Sequence, residues 1–235
     1  MKREQSTPER TAPSRLRATA SSTDEAWTIT RKESAFPPHL AAHPRAADWP
    51  TLYGLGHHDI LRRKCLGLIC SVQCPGSVVI KTFDAIRELR DAGVVVAGGF
   101  HSPMEQECLE FLLRGDQPVI ICPARHPGGS RVPTVWRTAL AAGRLLLVSP
   151  FDSDVRRATQ AQAKTRNEFV AALSAAVLIP HASPGGKAEG AARETLNHKK
   201  PLFMFNGDES ADGLFRCVRQ YNLTEICDAM TSDVE

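Results

Sequence analysis

The chain has 235 residues, of which 29 are basic, 26 acidic, 42% apolar and 6% aromatic. That suits one domain of ordinary size with a flexible extension, excludes a collagen-like or wholly disordered chain, and leaves little room for two full domains. The formal charge of +3 is too small to argue for nucleic acid or membrane, so any polyanion site has to be a local patch. No apolar run approaches the roughly 20 residues needed to cross a bilayer. The basic, polar start lacks an apolar h-region, so a cytoplasmic protein is expected. Seven cysteines, an odd number without small-domain spacing, fit free thiols in a reducing compartment. Cys70 and Cys74 are not followed by a second Cys or His pair at finger-like spacing, so neither metal nor cofactor is expected.

Residues 1–34 read as a disordered tail rich in Ser, Thr, Ala, Arg and Glu. Residues 35–63 contain four prolines, at 37, 38, 44 and 50, and cannot build a long helix. They are expected to lie extended on the main domain, anchored by Phe36, Leu40, Trp49, Leu52 and Tyr53. From residue 64 to 206, apolar runs alternate with amphipathic segments. The runs are Leu66–Cys70, Val94–Ala97, Pro118–Cys122, Arg144–Ser149, Ala176–Pro180 and Pro201–Phe205. Short runs that are apolar throughout predict strands covered on both faces, hence a parallel sheet. Helices are expected over Ile80–Leu89, Pro103–Leu113, Pro133–Ala142, Gln162–Ala172 and Lys187–His198. The prediction is an α/β fold: a doubly wound, mostly parallel six-stranded Rossmann-like sheet. Strand order is not readable, 3-2-1-4-5-6 being the common solution. Residues 207–235 read as a short helical appendage that docks through Leu214, Phe215, Val218, Leu223 and Ile226.

Ligands of such sheets bind beyond the carboxyl ends of the strands, so the loops there carry the search. After the first run, Ser71, Gly76 and Ser77 precede or open a helix whose free N–H groups suit a phosphate; a tight turn with a Ser cap explains them equally. After the second, Gly98 and Gly99 permit close backbone approach. Ser102, Pro103 and Glu105 read as a capping box, which leaves His101 as a candidate contact. The third loop sets Arg125, His126 and Arg131 around glycines and gives the strongest anion signal. Farther on stand Lys164, Arg166 and Asn167, then Gly185, Gly186 and Lys187 at a strand-to-helix junction. Glu189 is either an acid or an ordinary first-turn glutamate. No GxSxG elbow, GxGxxG or GxxxxGK[ST] sequence is present. Phe100 and Phe151 are the only aromatic residues in these loops by this reading.

Together these segments resemble the DNA-processing protein A family, also called DprA or Smf, within the Rossmann-like SLOG group. FPPHL…WPTLYGLG resembles the stretch leading through an LY-x-x-G turn, and LGLICSVQCPGS stands where the family has IVGSR…T.YG. VVVAGGFHSPMEQECLEFLLRG resembles VVSGGARGID…AH..AL. KTRNEFVAALSAAVLIPHA resembles FP.RNR.IAGLS..VLVVEA. The resemblance runs from about Phe36 to Phe205. It implies single-stranded DNA binding, a role in DNA uptake or recombination, a RecA-type recombinase as partner, and homodimerisation. Ser71, Gly98, Gly99, Arg166, Asn167, Gly185 and Gly186 keep the pattern. The arginine of the GSR motif falls on Val72 and its glycine on Cys70. The acid of GID is replaced within His101–Met104, and the second arginine of RNR falls on Glu168.

A second resemblance is to the LOG phosphoribohydrolases, whose PGGxGTxxE motif is half matched by Pro184, Gly185 and Gly186. The motif's final glutamate falls on Ala192. It implies an alternative: a nucleotide sensor, or an enzyme releasing base from a nucleoside monophosphate with Glu189 and Arg166 as catalytic groups. A degenerate, non-catalytic scaffold is the third reading.

Overall fold

The computed structural model describes residues 26–128, 132–205 and 217–231. The described strands form one sheet: β1 (Ala26–Thr30), β2 (Thr51–Gly56), β3 (Leu66–Leu68), β4 (Val96–Gly98), β5 (Val119–Ile121), β6 (Leu145–Ser149), β7 (Ala176–Leu178), β8 (Leu202–Met204) and β9 (Arg219–Gln220). Their order is β1-β2-β6-β5-β4-β3-β7-β8-β9. The six predicted runs are β3 to β8, and every pair among them is parallel. The fold is α/β, as the runs predict. The order differs from the common solution, because the chain steps outward three times, from β3 to β6, before returning to β7 on the other side of β3.

Side chains alternate across the strands and feed two cores. Leu66, Val96, Val119, Ile121, Leu145 and Leu147 face one helical layer. Val95, Ala97, Ile120, Leu146, Val148 and Val177 face the other. The first layer holds α2 (Gly76–Asp91), α3 (Pro103–Leu113), α4 (Thr134–Ala141) and α7 (Leu223–Thr231). The second holds α5 (Gln160–Leu173), α6 (Lys187–Asn197) and the short α1 (Pro38–Ala41). Two covered faces explain why the central strands carry no polar alternation.

Three strands lie outside the six predicted ones. β1 falls where the sequence reads as tail, and residues 1–25 lie outside the described chain. β1 and β2 form an antiparallel pair that covers the outer edge of β6. Their pairing rests on Trp27, whose ring lies over Gly54: a Cβ there would fall 2.1 Å from Trp27 Cζ2. Trp27 Nε1 also donates to Gly56 O at 2.7 Å. Residues 35–50 cover α5 and α6, with Phe36, Leu40 and Trp49 buried. Arg45 fastens this segment by ion pairs to Asp48 (2.7 Å), Glu194 (3.1 Å) and Glu168 (3.3 Å). Glu168, where the resemblance has an arginine, therefore serves the N-terminal segment. At the other end Ile226 is buried and Tyr221 Oη donates to Glu88 at 2.9 Å, seating the C-terminal residues on α2. Leu214 and Phe215 lie outside the described residues.

Candidate functional site

A cleft of about 980 Å³ opens at the carboxyl ends of the strands, between the loops after β4, β5 and β6 and the first turns of α5 and α6. Its size is that of an organic-ligand site. Arg125, Arg156, Arg157, Arg166 and Lys187 line it with His101 and His126, and no Asp or Glu is among the described lining residues. A further stretch of the wall is apolar, with Val132, Pro133 and Trp136. A wall that gathers five cationic side chains concentrates positive potential, which suits an anionic ligand.

Arg166 is set by α5. Thr159 and Gln162 make a capping box, with Thr159 N donating to Gln162 Oε1 at 2.7 Å and Gln162 N to Thr159 Oγ1 at 3.3 Å. Helix periodicity from that start turns Thr159, Ala163 and Arg166 toward the cleft. Arg166 is 7% exposed; its Nε donates to Asn167 Oδ1 at 2.8 Å and Nη1 to Cys122 O at 3.5 Å. Among the described residues it forms no ion pair, and burial lowers its pKa, with Glu105 opposing. Gly99 makes this placement possible: a Cβ there would lie 1.3 Å from Arg166 Nη1. Lys164 points elsewhere, pairing with Glu168 at 3.9 Å outside the cleft.

The expected cradle of free amides is not what the strand ends provide. Glu105, the capping-box residue of α3, is buried, and its carboxylate accepts from three backbone N–H groups. These are His101 N and Ser102 N, both at 3.0 Å, and Cys70 N at 3.2 Å. Ser71 is a staple: its N–H donates to His181 O at 3.1 Å and its Oγ accepts from Ser183 N at 2.9 Å. This stitches the β3 loop to the β7 loop at the point where strand order reverses, the usual ligand crevice. Gly186 N donates to Ser183 O at 2.9 Å, and Gly185 N to Glu189 Oε2 at 2.5 Å. The ligand-facing chemistry is thus carried by side-chain cations, and the site lies on the β4–β6 side of the crevice.

Of the predicted contacts, Gly99, His101, Arg125, Arg166 and Lys187 come together around the cleft. Ser71, Gly76, Ser77, Gly98, Lys164, Asn167, Gly185 and Gly186 do not line it, although Asn167 orients Arg166. Arg131 lies outside the described residues. Arg156, Arg157 and Trp136 were not singled out from sequence. The adjacent arginines just before the Thr159 cap were the available signal. Phe100 is buried at φ +46° and Phe151 is not in the wall, so among the described Phe, Trp and Tyr residues Trp136 is the one that lines the cleft. Glu189 is outside the cleft too. Its hydrogen bond from Arg193, then that from Gly185, lowers its pKa, which favours the ionised state over proton donation. Among the described residues no three His, Cys, Asp or Glu side chains are grouped to hold a metal, and no helix is long and apolar enough to cross a membrane.

Comparison with known proteins places this geometry. No curated protein sequence matches the chain. DNA processing protein A from Streptococcus pneumoniae superposes with a TM-score of 0.71 at 13% identity, over 88% of this chain and 75% of that one. DNA processing protein A from Helicobacter pylori, whose structure was described for its single-stranded DNA binding mode, gives 0.65 at 20% identity, over 87% and 95%. The molybdenum cofactor carrier protein of Chlamydomonas reinhardtii gives 0.50 at 13% identity, over 73% and 100%. At these identities the likenesses establish the Rossmann-like fold. A sequence profile goes further: it matches residues 27–220, nearly the whole described chain, and by that match the protein belongs to the DNA recombination-mediator protein A family.

Proposed function

We propose that the cleft binds single-stranded DNA through its phosphates and that the protein serves DNA processing or recombination without catalysing a reaction. The observation that carries this reading is the gathering of five cationic side chains in one wall, with no Asp or Glu among the described lining residues. Two features favour a strand over a free nucleotide. The amides that would cradle one phosphate are already bonded to Glu105, Ser183 and Glu189, whereas separate guanidinium groups suit successive phosphates. Trp136 offers a face on which a base can stack, regardless of its identity. The family's arginine position falls on Val72, an exposed residue at the cleft wall. Arg125, Arg156 and Arg157 supply charge in its place. Transfer of the strand to a RecA-type recombinase, homodimerisation and a cytoplasmic location are part of the proposal on family resemblance.

The test is fluorescence anisotropy with a labelled oligonucleotide at two salt concentrations. If all five cations neutralise phosphates, log affinity falls with log salt at a slope of about −3.5, and affinity drops about a hundredfold between about 50 and about 200 mM. Absence of binding at the lower salt, or an affinity indifferent to salt, rejects the reading.

A further inference from the structure

Between the end of β3 and the start of α2, the chain places two thiols side by side at the rim of the cleft. Cys70 is buried at the end of the first parallel strand, with its Sγ 3.7 Å from His181 O. Cys74 is half-buried four residues later, packs into the same apolar cluster, and shares a hydrogen bond with the Cys70 thiol. Val72, which is 71% exposed and part of the cleft wall, stands between them. The surrounding thiols differ. Cys65, Cys108 and Cys122 are buried, and Cys108 Sγ is turned to Met104 Sδ at 3.6 Å.

We propose that Cys70 and Cys74 are a redox modification site, a dithiol that small disulfides convert to an intramolecular disulfide. Access and proximity carry the inference: Cys74 is half-buried, and Cys70 lies in the cluster against which it packs, so the second step is intramolecular. Burial, then the neighbouring Cys74 and Glu105, push the Cys70 thiol well above the usual range. Cys74 is therefore the attacking group and Cys70 the resolving one. The Cys74 thiolate attacks a sulfur of the small disulfide; that S–S bond breaks, a mixed disulfide forms, and one thiolate leaves and takes up a proton. The Cys70 sulfur then attacks Cys74 Sγ, the mixed disulfide breaks, and the second departing thiolate takes the Cys70 proton. In sum the protein loses two electrons and two protons, and one small disulfide becomes two thiols.

The experiment exposes the folded full-length protein to oxidised glutathione, alkylates the remaining thiols, and maps the product by mass spectrometry. Chymotryptic cleavage after Leu68 separates Cys65 from the pair. Because Cys217 is exposed and Cys227 half-buried, the outcome is read on the peptide containing Cys70 and Cys74, which in the wild type should lose both thiols and be two hydrogens lighter. Cys70→Ser should instead retain glutathione on Cys74, and Cys74→Ser should keep the Cys70 thiol reduced. Should Cys70→Ser fail to fold, Cys74→Ser decides alone, its folding checked by thermal unfolding. A wild-type peptide with both the Cys70 and Cys74 thiols intact, a lasting mixed disulfide on that peptide, or a bridge from Cys74 to Cys108 overturns the proposal. The readout is independent of DNA, so its failure and that of strand binding are told apart.

Discussion

Gly99 and Arg166 act as one unit at the scale of the residue. A methyl group at Gly99 cannot coexist with the guanidinium, since it would overlap Nη1, and Arg166 is too enclosed to move aside freely. Gly99→Ala should therefore weaken oligonucleotide binding about tenfold, the scale of one charged hydrogen bond, and flatten the salt slope by about 0.7. An unchanged slope in that titration means Arg166 is not a phosphate contact. Val72→Arg makes the opposite case: a sixth cation at the rim should tighten binding and steepen the slope by about 0.7. No gain would show that the rim is out of the strand's path. Gly99, Arg166 and Asn167 were legible because each has an unusual local requirement or a family counterpart. The full role of Glu105 was not, because the sequence shows only its cap of α3. The third amide it holds, that of Cys70, comes from 35 residues away. It also supplies a carboxylate one residue beyond the segment where the family's acid is missing.

Elements were more legible than their arrangement. Apolar runs and helical periods mark β3 to β8 and the helices between them, since burial on both faces leaves a compositional trace. Strand order leaves none, because each strand is apolar whichever neighbour it meets. β1 was hidden by short length and polar company: a single buried residue, Ile29, and the half-buried Trp27 are all it contributes. Helix ends show the same division. The capping box of α3 is local and readable, but the carboxyl end of α5 is held by Lys200, from the far side of α6. Its Nζ donates to Ala172 O at 2.6 Å, Ser174 O at 2.7 Å and Ala171 O at 2.8 Å. Burial pushes its pKa down to about 8, which leaves it protonated at neutral pH with three donors engaged. The cation also opposes the negative end of the helix dipole. Lys200→Met should strip these carbonyls of their partner and destabilise the protein by roughly 2–4 kcal/mol. Denaturant unfolding at pH 7 measures it, and a loss below about 0.5 kcal/mol shows that water replaces the ammonium without cost.

The molecule as a whole is held together by a seam between residues 35–50 and the carboxyl ends of α5 and α6, away from the cleft. His39 and His43 lie in that seam with Lys200, His198, Glu194 and Arg45 around them, and the His43 and His198 rings are 4.4 Å apart. Burial, then the Lys200 charge, lowers both His39 and His43 to about 4. The sign follows from linkage. A histidine whose folded pKa lies below its unfolded value binds protons better when unfolded, so its neutral form favours the fold. That contribution is complete above about 6.5 and is lost as pH falls toward 4. For His39 the loss by pH 4 is on the order of 3 kcal/mol. The Glu194 carboxyl, whose pKa is also lowered, against burial, by its bonds to His198 and Arg45, acts at lower pH and does not mimic this window. Denaturation midpoints between pH 7 and pH 4.5 should therefore fall steeply in the wild type and less steeply in His39→Gln, which cannot take a charge. The ion pairs of Arg45 survive over most of this range, so the expected product is a loosened N-terminal segment before global unfolding. Hydrogen exchange should detect it first in residues 38–50, with β3 to β8 still protected. Parallel pH slopes in the two proteins, or simultaneous exchange of segment and sheet, would locate the acid sensitivity elsewhere.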